Sequence, residues 1–234
     1  MQKVPAVETF GSYELVVNAN DAKRDRYSLV LLVSVVLFIV LLPILEKDQV
    51  GEMVLIASMY AILIFATLDL SAKRTVIWPA IVLAASSMLG LIVSHAFPVP
   101  RLIVTNGLVL MLFFGFVSVR LFLYLGQRGS PRSHLMASVS LYLILGIFWF
   151  TIYWVVETLR PGSFAQRGGI PAGGGVRMST FLYLSLETLT TLGYGDVLPV
   201  SPVARMFATL ESAMGVLYIA ITVSRMVGAA VRSK

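Results

Sequence analysis

The sequence predicts an all-α membrane protein with six transmembrane helices, one short re-entrant helix and the loop that follows it. Three observations carry this expectation. Hydrophobic residues make up 58% of the 234-residue chain and charged residues 13%, against about 25% charged in soluble domains. Six apolar runs reach 18 residues or more, near the length a helix needs to cross a bilayer. A further run, Ser179–Leu189 (STFLYLSLETL), has 11 residues. It is too short to span, but it suits a helix that enters the membrane and turns back, tolerated there because protein buries it.

Residues 1–27 are polar and form an expected cytoplasmic N-terminal segment. The spans follow at Ser28–Leu45, Met53–Leu70, Val76–Ser94, Leu102–Leu125, Leu135–Val156 and Val203–Val227. The first has no small-residue cleavage site, so it reads as a span rather than a cleaved signal peptide. Basic residues set the orientation. Lys3, Lys23, Arg24 and Arg26 precede the first span, Lys73 and Arg74 follow the second, Arg128 and Arg132 follow the fourth, and Arg225, Arg232 and Lys234 end the chain. All fall on one side of an even-numbered topology. The expectation is a multi-pass protein of the plasma (inner) membrane with both termini cytoplasmic. Arg160, Arg167 and Arg177 break the trend on the outer side, beside a Gly-rich run (Gly168, Gly169, Gly173, Gly174, Gly175) that reads as a flexible turret.

A linker at 126–134, centred on Gln127–His134 (QRGSPRSH), divides the chain. Before it, 28–125 holds four spans. After it, 135–234 holds a span, the turret, the short helix, its loop and the last span. The net charge of +6 lies mostly in short loops between apolar runs. It therefore points to anionic membrane lipids and not to nucleic acid. There is no cysteine, which excludes disulfides, thiolate metal sites and cysteine catalysis.

The short helix leads into Thr190-Thr191-Leu192-Gly193-Tyr194-Gly195-Asp196. Alternate glycines suit a strand whose backbone repeatedly takes a conformation that a Cβ would oppose. This stretch resembles the signature of potassium channels, with Leu192 where valine is commoner. The resemblance covers about Leu135–Val231. For the first four spans it extends only to their number.

The resemblance implies a filter in which backbone carbonyls replace the hydration shell of potassium. The ion-binding residues would be Thr191, Leu192, Gly193, Tyr194 and Gly195, with the Thr191 hydroxyl adding a ring of oxygens at the inner end. One chain supplies one strand, and a closed pore needs four, so a homotetramer follows. The short helix would aim its partly negative C-terminus at the pore axis. Glu187, Asp196 and Arg205 have the spacing of bacterial potassium channels. There, the resemblance implies, the two carboxyls meet behind the filter and share a proton. Tyr183 keeps one aromatic of the cuff around the filter, while Leu184 stands where a second is often found. Gly215, halfway along the last span, is a candidate gating hinge, with close helix packing as the other reading. Potassium is the transported ion, and no organic cofactor or enzyme activity is implied.

The fourth span carries Arg101 and Arg120 with nothing basic between. A voltage sensor needs several arginines there, so the first four spans look sensor-shaped without gating charges. Asp69, Lys73 and Arg120 are expected to form an ion pair at the inner face. His95 and His134, at span ends, read as interfacial. Three other functions compete, and one of them, a potassium-transporter subunit, would carry four such loops in one chain where this chain has one. Gly193-Tyr194-Gly195-Asp196 fits the GxGD pattern of intramembrane aspartyl proteases, but the only other intramembrane aspartate, Asp69, should lie at the opposite face. A non-conducting or regulatory channel subunit is the third, opposed by the intact Thr191, Gly193, Tyr194 and Gly195.

Overall fold

The computed structural model describes residues 7–45, 51, 58, 74–97, 99–126, 130–166, 170–171 and 177–232. The second expected span, with Asp69 and Lys73, lies outside them. The helices are α1 (Val7–Leu45), α2 (Arg74–Ala96), α3 (Pro100–Leu125), α4 (Pro131–Leu159), α5 (Met178–Leu189) and α6 (Pro202–Arg232). Three short strands lie among them: β1 (Phe164–Gln166), β2 (Ile170–Pro171) and β3 (Val197–Pro199).

Proline opens α3, α4 and α6. At a helix's first position its missing N–H costs nothing and its fixed φ fits the helix. Ser130 caps α4, its side chain accepting from the Arg132 amide at 3.3 Å. The helix therefore begins inside the stretch read as a linker. Likewise α1 continues helically from the first span back to Val7, through residues that composition marks only as polar.

Among the described residues, four helices are long and apolar enough to cross a membrane: Arg24–Leu45, Pro100–Leu125, Pro131–Leu159 and Pro202–Gly228. In α2 the described apolar stretch is shorter, Ile81–Gly90. Helix α4 is the hub. It packs against α1, α3, α5 and α6, and 61% of its apolar window is buried, against 11% for α6. Its core residues Leu141, Ile144 and Tyr153 are closed off together with Phe113, Phe114, Val117 and Leu121 of α3. The apolar faces of α6 are left open.

The glycines of the stretch read as a flexible turret lie outside the described residues, and strands β1 and β2 are described beside them. Strand β1 pairs antiparallel with both β2 and β3, giving the order β2-β1-β3. Ala165 stands opposite Leu198, and Phe164 opposite Pro199. Glu157 at the end of α4 fixes the turn that feeds β1. Its carboxylate accepts the amides of Gly162 at 2.8 Å and Phe164 at 3.2 Å. Phe164 then bridges Tyr153 and Phe181 in edge-on ring contacts with centroids 5.2 and 5.3 Å apart. Strand β1 is thereby seated on the N-terminal turn of α5.

Candidate functional site

Helix α5 delivers the chain to the glycine-rich loop. All four of its last carbonyls, which a helix end leaves without intrahelical partners, find one here. The Leu186 carbonyl accepts the Thr190 amide at 3.0 Å and its hydroxyl at 2.7 Å. Glu187 O accepts the Leu192 amide at 2.8 Å, and Thr188 O the Thr191 amide at 3.0 Å. Leu189 O accepts the hydroxyl of Tyr142, from α4, at 3.0 Å. The chain thus turns tightly out of the helix and starts the loop in a fixed place.

In the loop, φ is +58° at Thr191, +58° at Gly193 and +73° at Gly195. Every second residue is left-handed. Glycine takes that conformation freely. Thr191 does not, and a non-glycine residue held there stores of order 1–3 kcal/mol. Alternating handedness flips successive peptide planes so that their carbonyls can line one side of the strand. In a single chain that strand is open: Tyr194 is 67% exposed and Leu192 55%.

Behind the loop lies a cavity of about 650 Å³, lined by Leu192, Tyr183, Glu187 and Asp196 and walled by Ile39 and Leu42 of α1. The first helix of the chain thus touches the loop's support. Tyr183 donates its hydroxyl to Asp196 Oδ1 at 3.0 Å, and the same oxygen accepts the Val197 amide at 3.1 Å. Glu187 is 4% exposed, and its Oε2 is buried without a hydrogen-bond partner among the described residues. The two carboxyls line one cavity, with the Tyr183 phenol between them and donating to Asp196. Arg205 turns its Nε to Pro199 O at 3.3 Å, so it braces the strand after the loop. Leu184 is buried in the core.

Gly215 meets α5 directly: a Cβ there would lie 2.0 Å from Leu189 O. One turn earlier on α6, Glu211 has no exposed surface. Tyr153 donates to its Oε2, and Ser185 Oγ lies 2.5 Å from its Oε1. Sequence reasoning missed this group. The available signal was a lone carboxylate in an otherwise apolar span, costly enough in a membrane to suggest a role. His134 stacks edge-on against Tyr124 at 5.4 Å. The proposed Asp69–Lys73–Arg120 pair cannot be placed, since its first two members lie outside the described residues.

Residues 137–232 match a family model described as "Ion channel". The chain is also 31% identical over 89 residues to the inward rectifier potassium channel Kirbac3.1 of Paramagnetospirillum magnetotacticum. That similarity covers 36% of this chain and 25% of the relative, so the chain spans about a quarter of the length of the curated relative it matches. No solved structure matches. Both similarities support an ion-channel-type membrane protein that transports ions.

Proposed function

We propose that this chain is one subunit of a homotetrameric, potassium-selective channel. Six spans place both termini in the cytoplasm of a plasma (inner) membrane, with anionic lipids against the basic inner side. Dehydrated potassium passes through a filter built from the carbonyls of Thr191, Leu192, Gly193 and Tyr194 and closed above by Gly195. The observation that carries this reading is the left-handed alternation at Thr191, Gly193 and Gly195, set at the end of a half-length apolar helix. Ordinary turns do not repeat that handedness over five residues, and a carbonyl-lined ion path requires it. The open faces of Tyr194 and α6 support a fourfold assembly, in which neighbouring copies cover them. Glu187, Tyr183, Asp196 and Arg205 support the filter from behind.

The test is a flux assay on purified protein in potassium-loaded liposomes. Wild type should release potassium and exclude sodium. Gly193→Ala should insert normally and pass nothing. No atom lies within 4 Å of a Cβ at Gly193, so the obstacle is the backbone. An L-residue in the left-handed region costs roughly 1–2 kcal/mol, in each of the subunits at once. Normal potassium flux through Gly193→Ala, or equal passage of both ions by wild type, would refute the reading.

A further inference from the structure

Glu211 is a carboxyl in the middle of a membrane span, with no surface exposed even in one chain. Its neighbours come from two helices. From α4, Tyr153 donates to Oε2, while the Tyr142 phenol, whose hydroxyl goes to Leu189 O, lies within electrostatic reach of the carboxyl. From α5, Ser185 Oγ lies 2.5 Å from Oε1. Among the described residues no positively charged group acts on it, and the titratable groups facing it are these two phenols.

Counting hydrogens decides the state of this group. Ser185 Oγ also lies 2.7 Å from the carbonyl oxygen of Gly146 on α4. A serine hydroxyl has one proton, and a carbonyl can only accept. The Ser185 proton must therefore fill the contact with Gly146, or two bare acceptors would face each other at that distance. The contact between Ser185 and Glu211 then needs a second proton. The Tyr153 hydrogen is already on Oε2, so Oε1 of Glu211 supplies it. One donor and one acceptor on the carboxyl satisfy every partner without leaving a charge buried in low dielectric, which is expensive unless it is paired.

We propose that Glu211 holds a proton and, as a neutral carboxylic acid, clasps the inner helix α6 to the pore helix α5. Glu211 and Gly215 are one turn apart on α6. They meet Ser185 and Leu189, one turn apart on α5. Two adjacent contacts fix the register between the helices, and Tyr153 and Tyr142 tie both to α4. The filter-side part of α6 thus moves as one body with the pore helix, and any bending of α6 starts at or beyond Gly215. Glu211 acts on the filter through α5 and touches no ion, so it is a positioning residue. This consequence rests on the channel reading; the placement of the proton does not.

The test pairs infrared spectroscopy with single-channel recording on the full-length protein in lipid. The spectrum of wild type minus Glu211→Gln should contain the C=O stretch of a protonated carboxyl in neutral buffer. Glu187→Gln and Glu157→Gln should each retain that band, which separates Glu211 from the other two buried carboxyls among the described residues. Ser185→Ala should shift it, because the acid loses its acceptor. Glu211→Leu fills the space but leaves the Tyr153 and Ser185 hydroxyls without their partner, and should shorten filter open times by about tenfold. Glu211→Gln offers one amide donor and one carbonyl acceptor, and should rescue them. A carboxylate band in place of the acid band overturns the proposal, as does a Glu211→Gln channel as impaired as Glu211→Leu. If wild type conducts nothing, the channel reading fails while the infrared difference still decides the proton.

Discussion

Gly215 on α6 sits so close to Leu189 at the end of α5 that a Cβ on it would come within 2.0 Å of the Leu189 carbonyl oxygen and 3.0 Å of its carbonyl carbon. The sequence left this glycine as either hinge or packing point. The geometry supplies a packing demand at the point where α5 releases the chain into the glycine-rich loop, whatever bending it also permits.

Gly215→Ala should therefore damage the resting protein as well as its gating. The added carbon meets backbone, which cannot swing aside as a side chain can. Overpacking of this kind costs typically about 1–3 kcal/mol. We expect a lower melting temperature in detergent and at least a tenfold fall in potassium flux, a change of roughly 1.4 kcal/mol. A variant with unchanged melting and altered gating alone would assign Gly215 to bending and not to packing.

Tyr183 should govern filter lifetime together with Glu187. Its hydroxyl donates to Asp196, while Glu187 shares the cavity with a buried, unpartnered oxygen. Tyr183→Phe removes the donor and keeps the ring. We expect altered inactivation with potassium selectivity kept, and the same direction of change in Glu187→Ala. Residues in one network couple by about 0.5–3 kcal/mol, so the double variant should differ from the sum of the singles. Strict additivity in recovery times would separate the two residues.

Four of the expected spans, the first, fourth, fifth and sixth, were legible in the sequence because a bilayer imposes a length and an apolar composition, and proline marks helix starts. The run Leu102–Leu125 falls inside Pro100–Leu125, and Ser179–Leu189 differs from Met178–Leu189 by one residue. Gly193 and Gly195 were legible because glycine suits left-handed backbone, but the same logic could not foresee Thr191 at φ +58°. Other features depend on pairings distant in sequence. Ala165 meets Leu198 across the small sheet, and Glu211 meets Tyr153 and Ser185, 58 and 26 positions away. Hydropathy along the chain sees neither. It also missed the helical extension of α1 to Val7, because apolar length measures the membrane and not the helix.

Opening should depend weakly on voltage. Moving one elementary charge through 100 mV supplies about 2.3 kcal/mol, so steep gating needs many charges. Helix α3, the fourth expected span, carries Arg101, which is exposed near its start, and Arg120, half-buried near its end. There is no ladder between them to carry charge across the field. Open probability should change only slightly across the physiological voltage range. Saturating gating currents worth several charges per subunit would contradict this.

External tetraethylammonium should block poorly. In related channels an aromatic ring stands two positions after the filter aspartate and surrounds the blocker at the outer mouth. Here that position is Leu198, 47% exposed on β3. Its register opposite Ala165 holds it in place on the strand that follows Asp196, and Pro199 limits how the strand could present anything else. Leucine has no quadrupole to attract a quaternary ammonium. Four tyrosines would each offer an aromatic contact worth roughly 0.5–2 kcal/mol. Leu198→Tyr should therefore raise the affinity for external blocker by an order of magnitude or more, at least about 1.4 kcal/mol. Because β1 pairs with β3 through the backbone, the substitution should leave the sheet intact and unitary conductance without blocker unchanged. Wild-type channels blocked as well as the variant would place Leu198 away from the mouth, and would mean that the strand after Asp196 runs differently in the assembled pore.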